Sequence, residues 1–375
     1  MWPDRRLIEL LGIEHPIVLA PMAGFATAEL AASVCEAGGL GSVGCATLKP
    51  EAAAKAIEEL RQVARRPINA NFFCHAPAKA DAGREQAWRA RLSPYYRELE
   101  IDETPLPRLD LAPFGEAMCE MIEATRPDVV SFHFGLPAAA LVARIKAAGC
   151  RVISSATTVE EARWLEAHGA DAVIAQGAEA GGHRATFLAS DLDRAMASQS
   201  GTLALVPQIA EAVQVPVIAA GGIADGRGVA AAFALGASGV QIGTAFLRCP
   251  EAGTSPLHRE ALLRARDNDT VLTNVFTGRP ARAIANRLPR ELGPLSEAAP
   301  DFPLPMGELP LLRAKAEQQG SRDFMPLWSG QAVALGTEMP ARELVLKLVE
   351  DASQRFAQLS AKPPSAASRH GARTA

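Results

Sequence analysis

An α/β chain folded as a (β/α)8 barrel, the TIM barrel, with a small helical second domain built from two insertions, is the fold class that the sequence predicts. Three observations predict it. Eight short segments are apolar throughout rather than alternating, as strands buried on both faces are. Alanine-rich segments lie between them, with apolar residues at helical spacing and a closing glycine. Two charged or proline-rich stretches interrupt this rhythm. Strand and helix repeated eight times require a parallel sheet, most simply a closed barrel. A doubly wound open sheet is the alternative, and eight evenly apolar strands favour the barrel.

The strands are read in order as PIVLAPM (16–22), LGSVG (40–44), PINANFF (67–73), VVSFHFG (129–135), RVISSAT (151–157), DAVIAQG (171–177), VPVIAAGGI (215–223) and GVQIGTAF (239–246). Helical patterns such as ELAASVCEAGG, AAALVARIKAAG, VEEARWLEAHG and GVAAAFALGA separate them. Residues 1–75 and 126–275 are assigned to the barrel. Residues 76–125 and 276–350 are assigned to a helical cap beside its mouth, where Trp88, Trp328 and their apolar neighbours would be buried. The tail, 361–375, has no acidic residue and little apolar bulk, so disorder is expected.

Composition narrows the function. The chain has 375 residues, 48% of them hydrophobic, and a formal charge of −4. That balance points to neither nucleic acid nor an anionic membrane surface, and no apolar run approaches a membrane span. The start, MWPDRRLIELLGIEHP, does not read as a signal peptide. Six scattered cysteines without a CxxC pair suggest free, mostly buried thiols in a reducing cytoplasm, and no metal site is expected.

In a barrel, chemistry gathers where strands end. Strands seven and eight end in AAGGIADGRG and QIGTAF. Gly221, Gly222 and Gly243 let backbone approach a ligand, and Thr244 adds a hydroxyl; such loops on these two strands suit a phosphate. Strand one ends in APMAG, where Pro21, Met22 and Ala23 suit a planar ring as well as they suit a plain turn. Strand three carries Asn71, which needs a partner if it points inward, with Asn69 of the same parity one layer deeper. His75 is expected on a loop surface. His133 on strand four shares parity with Ser131 and reads as a pocket histidine. Strand six leads into AQGAEAGGHR, with Gln176 as a hydrogen-bonding amide, Gly181 and Gly182 as bare backbone, and His183 as a titratable base. Arg184 stays open between anion binding and a salt bridge to Glu179 or a helix end.

Taken together, PMAG, NANFFCH, SFHFG, AQGAEAGGHR, AAGGIADGRG, QIGTAF and WSGQA resemble, in order, the nitronate monooxygenases, formerly 2-nitropropane dioxygenases, of the class I bacterial type. The resemblance runs from about residue 5 to residue 350, and the GxEAGGHR loop is its most specific part. It implies a cytoplasmic, nitroalkane-detoxifying enzyme, monomer or homodimer, with non-covalent FMN. Such an enzyme oxidises alkyl nitronates with O2 to a carbonyl compound and nitrite, by one-electron transfer. Pro21, Met22 and Ala23 would back the ring. Asn71 and Gln176 would bond its edge or the ribityl chain, and Gly181 would lie against it. Gly221, Gly222, Gln241, Ile242, Gly243 and Thr244 would hold the phosphate end. His183 would be the catalytic base and, with His133, contact substrate. An NAD(P)H:quinone or enoyl-ACP reductase of the same superfamily is the alternative. One departure concerns substrate choice: relatives often place aromatic residues in the 300–315 region, where this chain has PLPMGELPLLRAK, leaving Lys315 as a candidate for the entrance.

Overall fold

The computed structural model describes residues 2–79, 81–102, 111–189 and 191–360; the tail assignment at 361–375 lies outside them. Eleven strands are present among the described residues: β1 Ile17–Leu19, β2 Gly41–Gly44, β3 Ile68–Phe73, β4 Val129–His133, β5 Arg151–Ala156, β6 Ala172–Gln176, β7 Gly182–His183, β8 Val217–Ala220, β9 Gly239–Ile242, β10 Thr270–Thr273 and β11 Ala281–Ile284. Eight of them form one parallel sheet in the order β1-β9-β8-β6-β5-β4-β3-β2. Val18 pairs in parallel with Leu40 just before β2, which closes the ring. The expected eight-stranded barrel is the observed fold.

Strand parity divides the core. Val18, Val129, Ile153, Ile174 and Ile218 point inward and meet Leu7 and Leu11, so the helix Arg6–Leu11 plugs the lower end. Their neighbours Ile17, Leu19, Val130, Val152, Val173 and Val217 point outward and pack under the helices. The inner face turns polar elsewhere on β3 and β4. Asn69 donates to Ser42 Oγ (2.9 Å), and Asn71 donates to Ser131 Oγ (3.0 Å). These pairs satisfy the buried amide N–H groups, while the Asn69 carbonyl oxygen is buried without a partner.

The last helix, Ala341–Ser360, returns to the barrel. It packs between Ala28–Glu36 and Gly226–Ala234 and buries Leu344, Val345, Leu348 and Ala352. A side chain at Gly226 would meet Asp351 Cβ at 2.3 Å, so glycine sets that close approach. Residues 341–350 are therefore part of the outer helical ring.

The two interruptions share a second core. Trp88, Leu92, Tyr95 and Tyr96 on the helix Ala82–Glu98 pack against Val275, Phe276, Leu288, Leu309, Leu312 and Phe324. Arg84–Asp301 (2.8 Å) and Arg287–Glu98 (2.7 Å) tie the same segments at the surface. The second region also contains a strand, β11, where the sequence suggests only helices, and β10 joins it from the end of the stretch assigned to the barrel. β10, β11 and the two-residue β7 form an antiparallel sheet, with Ala281 opposite His183 and Arg282 opposite Gly182. β7 is the loop after β6, so this sheet hooks the second region onto the barrel mouth.

Candidate active site at the open end of the barrel

A cavity of about 790 Å³ lies over the C-terminal strand ends, beneath the second region. Its size falls within the roughly 300–1,000 Å³ usual for small-molecule and cofactor sites. Pro21, Met22, Ala23, Asn71, His133, Gln176, Gly181, His183, Gly221, Gly222, Gln241, Gly243 and Thr244 all line it. Ile242 does not. It follows the inward Gln241, so strand alternation turns it into the helix-facing core, where it is 1% exposed. Only its backbone is near, its carbonyl accepting from Ala20 N at 2.8 Å.

One wall is built mostly from backbone. Gly221 and Gly222 follow β8 with φ of +108° and +73°, a region that side-chain-bearing residues rarely adopt. A Cβ on Gly221 would also sit 2.9 Å from Ala180 N. Thr244 Oγ1 accepts from Gly330 N (2.9 Å), which leaves its hydroxyl proton free for a ligand oxygen. Gln241 Oε1 is buried without a protein partner, a state that a bound donor would relieve. Asn71 spends its amide N–H on Ser131 and keeps its carbonyl oxygen as an acceptor.

Two residues of the β6 loop that line the cavity also have close partners within the protein. Gly181 is bare because Gly330 N and Ser329 C would lie 2.6 and 2.7 Å from a Cβ, so it packs loop on loop. Gln176 donates to His183 O (2.9 Å) and accepts from Ala185 N (2.9 Å), so its amide spans the returning chain. Arg184 is buried and donates to Gly177 O (2.6 Å) and Gln176 O (2.9 Å). It stitches the loop's base, and among the described residues it forms no salt bridge with Glu179. Glu179 instead accepts from Thr202 N and Thr202 Oγ1 (both 2.9 Å), covering the N-terminus of the helix Thr202–Ala212.

The other wall is built from side chains. The His183 ring stands among Phe73, Phe134, Phe302 and Trp328, with centroids 5.5–6.0 Å away. Its Nε2 is 3.0 Å from Thr277 Oγ1. Burial above all, then the nearby His133, Arg279 and His75, pushes its pKa down to about 3. His133 is likewise lowered to about 4, again chiefly by burial. Both rings are neutral at pH 7, and His133 Nε2 donates to His183 O at 3.1 Å. Arg279 lies 4.0 Å over the Phe134 ring and donates to Thr186 O. Its positive charge lies behind the histidines, with the Glu161 carboxylate acting on it through space.

Several of these residues escape the sequence reading. Thr277, Arg279 and Phe302 sit in the segment expected to be helical, and no local pattern marks them. His75 is buried, not on the surface: the chain returning at Leu111 takes its Nε2 (2.9 Å), and Phe302 covers the ring. Lys315 is not on the cavity wall, whereas Arg313 and Glu317 are.

A model of the nitronate monooxygenase family matches residues 4–351. A nitronate monooxygenase from Paraburkholderia phytofirmans is 44% identical over 363 residues, covering 95% of this chain and 97% of that protein. A nitroalkane oxidase from Streptomyces ansochromogenes superposes with a TM-score of 0.86 at 38% identity, covering 95% of this chain and all of that one. FabK from Thermotoga maritima superposes with a TM-score of 0.70 at 29% identity, covering 96% and 99%.

Proposed function

The chain belongs to the nitronate monooxygenase family of oxidoreductases, and from that premise we propose that it binds FMN in this cavity and oxidises alkyl nitronates with O2 to a carbonyl compound and nitrite. One observation carries the reading. A glycine-backbone wall suited to a phosphate and a neutral, cavity-facing histidine border the same space.

The residues present fit the cofactor. The Gly221–Gly222 turn and the Gly243–Thr244 edge would hold the phosphate, adding a hydroxyl donor. Asn71 offers an acceptor and Gln241 an unpartnered carbonyl to polar edges. Met22 and Ala23 offer an apolar surface for the ring. When bound, FMN supplies the one-electron oxidation of the nitronate and the return of electrons to O2.

The protein's own part is binding, orientation and proton handling. His183 stays unprotonated in the free site, so it can accept a proton from the acidic carbon beside a nitro group. The positive Arg279 behind the aromatic box favours the anion that results. Phe73, Phe134, Phe302 and Trp328 surround the ring with apolar surface, which strengthens that field. Residues 1–75 and 126–275 hold the cofactor in this reading, and 76–125 with 276–340 cover the substrate, while 341–350 belong to the barrel's outer ring.

The test is a visible spectrum of the purified protein, followed by nitrite and O2 assays with propionate 3-nitronate. A yellow protein that releases FMN on denaturation and makes nitrite is expected. A colourless protein that FMN cannot reconstitute, or flavin reduced by NADPH but untouched by the nitronate, would overturn the reading.

A further inference from the structure

His183 and Thr277 both line the cavity, and the Thr277 hydroxyl meets one of the two ring nitrogens, Nε2. Thr277 sits in the turn between β10 and β11, buried and 94 positions along the chain from His183. Its hydroxyl has one proton and two lone pairs, and besides accepting from Arg279 N at 3.4 Å it has two further partners. One is the carbonyl oxygen of Arg279 at 3.1 Å; the other is His183 Nε2 at 3.0 Å. A carbonyl can only accept, so the proton goes to Arg279 and the hydroxyl oxygen is left to accept. The reverse assignment would leave the Arg279 carbonyl oxygen without its hydroxyl donor. A neutral imidazole has one N–H, and this geometry puts it at Nε2.

The surroundings leave the ring few alternatives. The His183 backbone is pinned by pairing with Ala281, and its carbonyl accepts from both His133 and Gln176. Four aromatic rings hem in the imidazole, and among the described residues none of them, the Trp328 indole included, is hydrogen-bonded to it. Nδ1 has no protein partner among the described residues, and it is not among the atoms sealed from solvent without one.

We propose that Thr277 is a positioning residue that fixes His183 as the Nε2–H tautomer, so that the lone pair on Nδ1 faces the cavity and takes the substrate proton. The proposal rests on the reading above that a nitro compound with an acidic C–H binds here. In that step the C–H bond beside the nitro group breaks and the proton moves to Nδ1. The electron pair enters the C=N bond, and the negative charge settles on the nitro oxygens. Nothing is oxidised at this stage. A preformed nitronate has already lost that proton and needs no base.

The experiment uses the flavin-loaded enzyme labelled with 15N at histidine, with His183→Gln identifying the His183 signals. The wild type should show a protonated, pyrrole-type Nε2 and a pyridine-type Nδ1. Thr277→Val should lose this pattern, and Thr277→Ser should keep it. In parallel, Thr277→Val should lower kcat on neutral nitroethane at least about tenfold more than on preformed nitronate, given the roughly 10²–10⁴ that a placed base contributes. Thr277→Ser should restore the ratio. A wild-type Nδ1–H tautomer, or a Thr277→Val protein with the tautomer unchanged, would overturn the proposal. If Thr277→Val does not fold, the wild-type spectrum and the Ser variant decide it. A chain that turns over no nitro compound contradicts the preceding section instead, and the nitrogen signals still decide the role of Thr277.

Discussion

The two walls of the cavity differ in material. The wall at β8 and β9 is mostly backbone: Gly221, Gly222 and Gly243, with Thr244 at its edge. The wall facing it is mostly side chain: His133, His183 and the rings of Phe73, Phe302 and Trp328. The first is made by neighbours in sequence on adjacent strands. The second is gathered from β3, β4, the β6 loop and the second region. Backbone donors cannot be tuned by swapping residue type, so such a wall suits an invariant ligand part such as a phosphate. Side chains can be retuned one at a time, which suits the place where chemistry and substrate are chosen.

The largest effect should come from breaking the backbone wall. In Gly221→Ala a Cβ enters at φ +108° and meets Ala180 N at 2.9 Å. Strain of about 1–3 kcal/mol is expected there, with displacement of the β6 loop. Flavin content after purification should fall to a small fraction of wild type, with nitrite production falling in parallel. Full flavin occupancy in this variant would show that the turn is not the cradle.

A smaller effect tests the side-chain wall through pH. His183 is held near 3, and His133 and His258 near 4, mainly by burial, against about 6.5 in an unfolded chain. Between about pH 6.5 and 4 the unfolded chain therefore binds protons that the folded chain refuses. Stability is whole above that window and falls as pH drops through it. Urea midpoints at pH 7.5, 5.5 and 4.5 should decline steadily. A flat profile down to pH 4.5 would mean that these rings are protonated in the fold. The lowered carboxylates, Asp4 and Asp225, lose their contribution only below about pH 4.

The same contrast explains what was legible in the sequence. The barrel follows from eight apolar runs, because burial on both faces is written locally in each strand. The glycine wall is equally local, since GGI and GT sit at their own strand ends. The histidine wall is only half local. His133 and His183 stand on recognisable strand ends, but Thr277 and Phe302 reach them through tertiary packing. β10 and β11 are four residues each, β10 mostly half-buried and β11 buried, and they meet the barrel through a two-residue strand. No window of sequence carries that pairing. Gln176 shows the same limit: its position is readable, but its partners, His183 O and Ala185 N, exist only once the loop has folded back.

The central claim is a division of labour, with cofactor held by one wall and the substrate proton taken by the other. His183→Gln tests it most directly, with bound flavin, neutral nitroethane turnover and propionate 3-nitronate turnover measured on the same preparation. The account predicts flavin content unchanged and kcat on nitroethane lower by about 100-fold or more. The loss on preformed nitronate should be at least tenfold smaller. Loss of flavin, or equal loss on both substrates, would contradict it.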